Sequence, residues 1–450
     1  MERISNKSVN KTSFIIKQIF FIALIFVNGS VLGQNSDRQK IMRTRVDAIE
    51  KKVIQWRQDI HQHPELGNHE FRTAALIADH LRSLGMEVRT NVAVTGVVAV
   101  LKGDKPGPVV ALRADMDALP VIENNSLPFA STTRAIYNDQ ETGVMHACGH
   151  DAHVAILMGV AEVLSGTKKY MKGSVKFIFQ PAEESPPKGE RGGAELMIEE
   201  GALENPKVDA LFALHVNAQL EVGKITYRPG GFFAAAADFK ITVKGTGSHG
   251  AEPWSGVDPI VTSAQIINNL QTILSRSINV TENPAVVSIG SIHGGNRFNI
   301  IPGQVEMIGT VRTLSNADED LVYKRIRTIA EKTAESAGAV AEVQLPFTAR
   351  HPVMINDVNL TSAMLPSLQR TVGSQNVIAV PASTSAEDFS RFAQRVPSFY
   401  FYIGGLPEGK NKTQSAPHHT SGFFIDERGF KTGVNALCNL VVDYLERSTH

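Results

Sequence analysis

The chain has 450 residues, 45 Lys plus Arg against 45 Asp plus Glu, 42% apolar residues and a mean hydropathy of −0.08. This profile excludes a disordered chain and a polytopic membrane protein, and a length about three times that of a typical domain excludes a single small module. A balanced charge without a run of five or six like charges argues against nucleic acid as a partner, and two cysteines, Cys148 and Cys438, cannot supply a disulfide framework.

Residues 1–18 carry Arg3, Lys7, Lys11 and Lys17, and an unbroken apolar run follows from Ile19 to Val27. These nine residues fall well short of the roughly 20 that span a bilayer, and Val31 and Gly33 suit cleavage ahead of Gln34. Residues 1–33 are therefore expected to be a signal peptide. The mature protein is expected to be exported, periplasmic or secreted, with no stable membrane span.

Val46, Ile49, Val53, Trp56 and Ile60 recur at three-to-four spacing and predict a helix ending near Pro64. Phe71, Ala75, Ile77, Ala78 and Leu81 predict a second, stopped at Gly85. "GVVAVLKG" and "PVVALRADMD" read as buried strands. Helix "DAHVAILMGVAEVLSG", strand "GSVKFIFQP", helix "GGAELMIEEGAL" and strand "VDALFALHV" continue the alternation. Over residues 34–235 this predicts the first part of a large α/β domain with a mostly parallel or mixed sheet. Residues 236–347 change to the order βαββαβ, a ferredoxin-like unit that reads as an insertion. Residues 348–450 return to helix, the strand "SFYFYIGG" and a final helix from about Glu427 to Glu446, completing the first domain. The expected fold class is α/β with two domains.

Histidine is scarce, 14 in all, yet "HACGHDAH" gathers His146, Cys148, His150 and His153 beside Asp151. Cys148 and His150, two apart in a turn before a helix, can direct a thiolate and an imidazole at one cation of the zinc type; a free core Cys among satisfied histidines is the plainer reading. "ALRADMDALP" ends a strand in Asp115 and Asp117, where α/β sheets carry functional loops, though such acids also cap helices and form turns. Strand "VKFIFQP" runs into Glu183 and Glu184. Adjacent side chains point apart, so one can hold a metal while the other takes a proton from water; alternatively they belong to a solvated loop. His215 follows the strand "DALFAL", and His418 and His419 lie in "APHHTSGFFIDE". Four such segments within one α/β domain make a convergent metal centre the better account.

"RADMDALP", "MHACGHDAH", "FQPAEE", "GAELMIEEGAL", "GSHGAEPW", "NIIPG" with "GTVRT", "SAEDF" and "HHTSGFFIDE" together resemble the metal-dependent amidohydrolases of the aminoacylase/carboxypeptidase superfamily. The resemblance is to the branch that holds N-acyl-amino-acid, hippurate and auxin-conjugate hydrolases, and it covers nearly all of the mature chain. It implies two divalent metal ions in the large domain and a smaller lid domain that also forms a homodimer. Cys148 is then the bridging ligand, with His150, Glu184, His215 and His419 completing the two coordination spheres. Of the last pair, His419 precedes Phe423 by four residues, the spacing of the branch's terminal ligand, and His418 is the fallback. Glu183 becomes the general base, and Asp115 the acid behind the metals that orients a ligand. Arg113 stands where many relatives carry a histidine ligand. In the lid, His249 matches a residue that stabilises the oxyanion, supplied by the partner chain in dimeric relatives. Asn299 and Arg312 occupy lid positions suited to the substrate's polar groups, Arg312 to a carboxylate. Glu387 and Asp388 of "SAEDF" are assigned no chemistry.

The expected activity is hydrolysis of the amide bond of small N-acyl amino acids or similar conjugates. Thiolate, imidazole and carboxylate ligands accept manganese, zinc, cobalt or nickel. A carboxypeptidase- or dipeptidase-like activity on the same metals is the alternative. An exported binding protein that closes on a ligand without chemistry is a third reading, against which Glu183 argues, because binding alone needs no base.

Overall fold

The computed structural model describes residues 40–348 and 350–447, so the expected signal peptide lies outside the described residues. A helix over 40–62 buries Val46, Ile49, Val53 and Ile60, as their spacing requires, with Trp56 half-buried. The helix Phe71–Ser83 follows and buries Ile77, Ala78 and Leu81 as expected, but not the two earlier positions. Thr73, Ala74, Ile77, Ala78 and Leu81 are buried, while Ala75 and Phe71 are exposed. Phe71 opens the first turn, where its ring lies outside the packed stripe and meets His69 edge-on at 6.4 Å.

The central sheet has eight strands in the order Glu87–Val92, Gly96–Lys102, Lys172–Gln180, Lys105–Asp115, Ala210–Glu221, Ser398–Leu406, Ile225–Tyr227, Val377–Ala379. Its four middle strands, Lys172–Gln180 through Ser398–Leu406, run parallel. Antiparallel partners flank them on both sides, so the sheet is mixed. The short strands Glu87–Val92, Ile225–Tyr227 and Val377–Ala379 carry too few apolar residues to announce themselves in sequence. The expected final helix begins instead as a single 3₁₀ turn, Glu427–Gly429, before the helix Phe430–Arg447.

Period-two alternation splits the middle strands between two cores. Val110, Leu112, Phe177, Phe212, Phe399 and Phe401 join one cluster with the helices His150–Ser165 and Phe430–Arg447. Ala111, Ile178, Leu211, Ala213 and Tyr400 join a second cluster on the opposite face. Full burial of each large apolar side chain is worth about 1.5–3 kcal/mol. Arg113, Asp115 and Gln180 stand at the carboxyl ends of their strands, where parallel sheets open their functional crevices, and His215 and Tyr402 lie midway along theirs.

Residues 235–344 run strand Ala235–Lys244, helix Pro259–Arg276, strands Val286–His293 and Gln304–Thr313, helix Asn316–Ser336, strand Val340–Gln344. All sheet neighbours here are antiparallel, with Ala235–Lys244 between Gln304–Thr313 and Val340–Gln344. Asp258 and Ser315 cap the two helices by accepting from first-turn N–H groups. Phe239, Ile241, Ile266, Leu270, Met307 and Ile326 form a hydrophobic core confined to this segment. No helix among the described residues is long and apolar enough to cross a membrane.

Candidate metal centre

Ligand-type atoms of Cys148, His150 and His215 lie within 4.8 Å of one another, and those of Cys148, Glu184 and His419 form a second such group that shares the thiol. The Cys148 Sγ is 3.4 Å from His215 Nε2 and 3.3 Å from His419 Nε2. Sulfur and nitrogen ligands of one tetrahedral zinc-type ion stand about 3.5 Å apart, so both pairs suit a shared cation. His419 Nε2 is also 2.8 Å from Glu184 Oε1.

Hydrogen bonds at the far side of each ring decide which nitrogens are free. His150 Nδ1 donates to the Asp117 carbonyl at 2.9 Å and lies 3.1 Å from Asp117 Oδ1, leaving a buried Nε2 with no hydrogen-bond partner among the described residues. His215 Nδ1 donates to the Val216 carbonyl at 2.6 Å, leaving Nε2 toward the thiol. His418 differs from His419: its Nδ1 donates to the Cys148 carbonyl at 3.0 Å, and its Nε2 accepts from the Ala218 N–H at 3.1 Å. No ring nitrogen of His418 remains for a metal. His153 is likewise spent, with Nδ1 2.5 Å from Asp115 Oδ1 and Nε2 accepting from the Val216 N–H.

The backbone around these ligands is tightly specified. Gly149, between Cys148 and His150, has φ +106°, and a Cβ there would meet Val216 Cγ1 at 2.4 Å. Glu183 and Glu184 are bracketed by Ala182 at φ 50° and Ser185 at φ 125°, and His419 sits at φ 63°. Left-handed non-glycine residues cost of order 1–3 kcal/mol each and persist where surrounding contacts over-determine them. Here Glu70 accepts from the Ala182 N–H at 2.9 Å, Asp117 from the Glu184 N–H at 3.0 Å, and the Ala147 carbonyl from the His419 N–H at 2.8 Å.

Behind the ligands lies a layer of carboxylates around one cation. The buried Arg113 donates to Asp115 at 2.5 Å, Gln180 at 2.8 Å, Glu387 at 3.0 Å and Asp388 at 3.2 Å. Tyr400 donates to Glu387 at 2.8 Å, and the Asp388 N–H lies 3.4 Å from Glu183 Oε1. Asp115, Glu183 and Glu387 approach within 4.8 Å of one another. Burial, with Glu387 and Glu184 beside it, lifts Glu183 well above the carboxylate range. Burial and the Glu184, Glu183 and Asp115 charges likewise hold the Cys148 thiol well above its ordinary range. Burial opposes charge on His150, yet Asp115 and Asp117 raise its pKa to about 10. One arginine does not balance this set of acids. Divalent cations would, and the orphaned His150 Nε2 and the thiol between two imidazoles are the donors they need, so the residues fit a metal pair.

The residues expected from sequence divide accordingly. Cys148, His150, Glu184, His215 and His419 converge with Glu183 at their edge, 3.9 Å from His150 Nε2. Asp115 faces His153 and Arg113, while the acid that holds His150 from behind is Asp117. Sequence reasoning named that strand-end pair and gave the ligand-orienting role to Asp115, whereas the hydrogen-bond partner of His150 is Asp117. It also left Glu387 and Asp388 as loop residues, because their partner Arg113 lies 274 and 275 positions away. His249 is exposed, on a short strand paired with Ile300–Ile301, and its Nδ1 accepts from the Ala251 N–H at 3.0 Å. Asn299 keeps a buried Oδ1 with no hydrogen-bond partner among the described residues, and Arg312 donates to Thr310 and the Val311 carbonyl. A cavity of about 360 Å³ opens beside Glu184 and Asp117, walled by Leu66, Leu119, Pro120 and Ile136.

Residues 111–443 match the model of peptidase family M20/M25/M40. Thermostable carboxypeptidase 1 of Saccharolobus solfataricus is 39% identical over 404 residues, covering 90% of this chain and 98% of that protein. N-acetylcysteine deacetylase of Bacillus subtilis is 37% identical over 401 residues, covering 89% and 98%. A solved Bacillus subtilis structure, described as a dinuclear metal binding peptidase from the M20 family, aligns with a TM-score of 0.75 at 34% identity, covering 89% of this chain and 99% of that one. The matched span holds the whole convergent set from Asp115 to His419, and the chain is a member of peptidase family M20/M25/M40.

Proposed function

We propose that this protein is an exported amidohydrolase that cleaves the amide bond of small N-acyl amino acids, using two divalent metal ions held by Cys148, His150, Glu184, His215 and His419. The observation that carries the reading is the shared thiol between two ligand groups, with a second carboxylate, Glu183, at their edge. Bound divalent ions supply a water acidic enough to ionise near neutral pH and polarise the amide carbonyl. Glu183 takes the proton from the attacking water and delivers it to the leaving amine, a general base and then a general acid. Burial and the Glu387, Glu184 and Asp388 charges raise the proton affinity of Glu183, which favours that proton traffic.

Residues 236–347 serve as a ferredoxin-like lid and dimer-forming domain inserted between catalytic parts 34–235 and 348–450. His249 from that lid holds the oxygen as it gains negative charge, and Asn299 and Arg312 bind the substrate's polar groups. The cavity beside Glu184 offers room for one side of the substrate. Asp115 keeps His153 and Arg113 in register behind the ligands. The basic, apolar leader supports export. The similarity to a carboxypeptidase favours a second reading, peptide cleavage at the same centre.

Hydrolysis of a panel of N-acyl amino acids and dipeptides by metal-loaded protein tests both. Turnover of the N-acyl amino acids supports the first reading, a preference for dipeptides the second. No hydrolysis of either class by protein carrying its full metal complement contradicts both.

A further inference from the structure

Tyr402 and Tyr400 lie two apart on the Ser398–Leu406 strand and project from the same face of the sheet, yet their hydroxyls have different surroundings. Tyr400 is fully buried and gives its hydrogen to Glu387 at 2.8 Å. Tyr402 is half-buried, and its hydroxyl has no hydrogen-bond partner among the described residues. The ring itself is firmly held: Phe232 lies at 5.5 Å and Phe233 at 5.7 Å, centroid to centroid. A phenylalanine would fill that aromatic nest equally well. What tyrosine adds is a donor, and a tyrosine set among apolar rings ordinarily finds a partner for it.

The position of that donor points to the partner. Tyr402 pairs in register with His215 on the adjacent parallel strand, and the two rings meet edge-on at 5.6 Å. His215 is the ring whose free Nε2 faces the Cys148 thiol. Cys148, Glu387 and Glu183 are close enough for their charges to act on the Tyr402 hydroxyl. An ordinary phenol keeps its proton well past neutral pH, with a pKa of about 10, so the group is a standing donor.

We propose that Tyr402 is a catalytic residue whose hydroxyl donates a hydrogen bond to the scissile carbonyl oxygen and tightens that bond as the oxygen becomes an oxyanion. The inference rests on the amidohydrolase reading above and adds a donor from the catalytic domain itself, independent of lid closure. No proton leaves the phenol: the bond forms as the carbonyl becomes tetrahedral and relaxes when the amine departs.

The test compares full-length, metal-loaded wild type with Tyr402→Phe, which removes one oxygen and keeps the ring packing. Metal content, kcat and KM for an N-acetyl amino acid are measured, with calorimetric binding of the phosphinate analogue that mimics its tetrahedral state. Loss of one oxyanion donor among several is expected to lower kcat by about 10–10²-fold and to weaken the phosphinate by a similar factor. KM should stay within about threefold, with metal content unchanged. Unchanged kcat and phosphinate affinity, a rise in KM alone, or loss of metal would each overturn the proposal. A fully loaded wild type that hydrolyses no amide sinks the amidohydrolase reading, and phosphinate affinity then still decides on Tyr402. An active wild type matched by Tyr402→Phe sinks only the role given to Tyr402.

Discussion

His150, in the first turn of the helix His150–Ser165, and His215, on the parallel strand Ala210–Glu221, are buried, each ring fixed by a hydrogen bond at Nδ1 that leaves Nε2 toward the site. His249, in the segment 236–347, is exposed on a two-residue strand, and its ring accepts from the N–H of Ala251. The first arrangement suits a cation, because ligands held rigid beforehand lose little freedom when it binds. The second suits a group that reaches its target only when the two parts of the molecule, or two chains, come together. On the proposed mechanism, coordination would fall to the first arrangement and transition-state contact to the second.

The largest effect should come from Glu183, which lies on the rigid side yet coordinates nothing in this account. Glu183→Gln is expected to lower kcat by about 10²–10⁴-fold with metal content near that of wild type. Metal analysis beside kinetics checks it, and a variant that loses its metal would move Glu183 among the ligands. His249→Ala should cost about 10²–10³-fold in kcat, again without loss of metal. If the histidine comes from a partner, mixing the two inactive variants should restore activity once subunit exchange is shown by mass. Near-normal activity of His249→Ala would break the comparison, since the movable region would then contribute no chemistry.

The candidate ligands were legible in sequence because they cluster where a strand ends or a helix begins, as in "HACGHDAH" and "FQPAEE", and the structure brings their atoms together. The choice between His418 and His419 rested on spacing alone. The structure adds a physical ground, since both nitrogens of His418 are committed to backbone groups. The carboxylate layer could not be read, because Arg113 reaches Glu387 and Asp388 across most of the chain and nothing local marks the pairing. In the same way, Asp151 looked like one more acid in the histidine motif, yet Arg57 and His61 grip it at 2.8 and 2.7 Å. That grip ties the ligand helix to the 40–62 helix. The short strands and the burial of Thr73 and Ala74 in place of Phe71 and Ala75 escaped for the opposite reason, because tertiary packing outweighed weak local signals.

Smaller effects should refine the rigid side. Asp117→Asn removes the charge that holds His150 Nδ1 and the Glu184 N–H, and should weaken metal affinity by about 10–100-fold. Activity should return at saturating metal in equilibrium dialysis and assay, whereas a permanent loss would make Asp117 a participant in the chemistry. Metal loading should also be pH-linked. His150, raised to about 10, and the Cys148 thiol, raised further above its usual range, both hold protons at pH 8 in the metal-free protein. Each must give its proton up to a cation, so affinity should increase with pH from 7 to 9. About two protons per chain should be released, read by calorimetry in buffers of different ionisation enthalpy. Pure carboxylate coordination would release almost none.

The most direct test of the shared-thiol centre is metal stoichiometry by native mass spectrometry on wild type and Cys148→Ala. The account predicts two divalent ions per wild-type chain at saturation and loss of both when the thiol common to the two ligand groups is removed. A single ion in wild type, or two retained by Cys148→Ala, would contradict it.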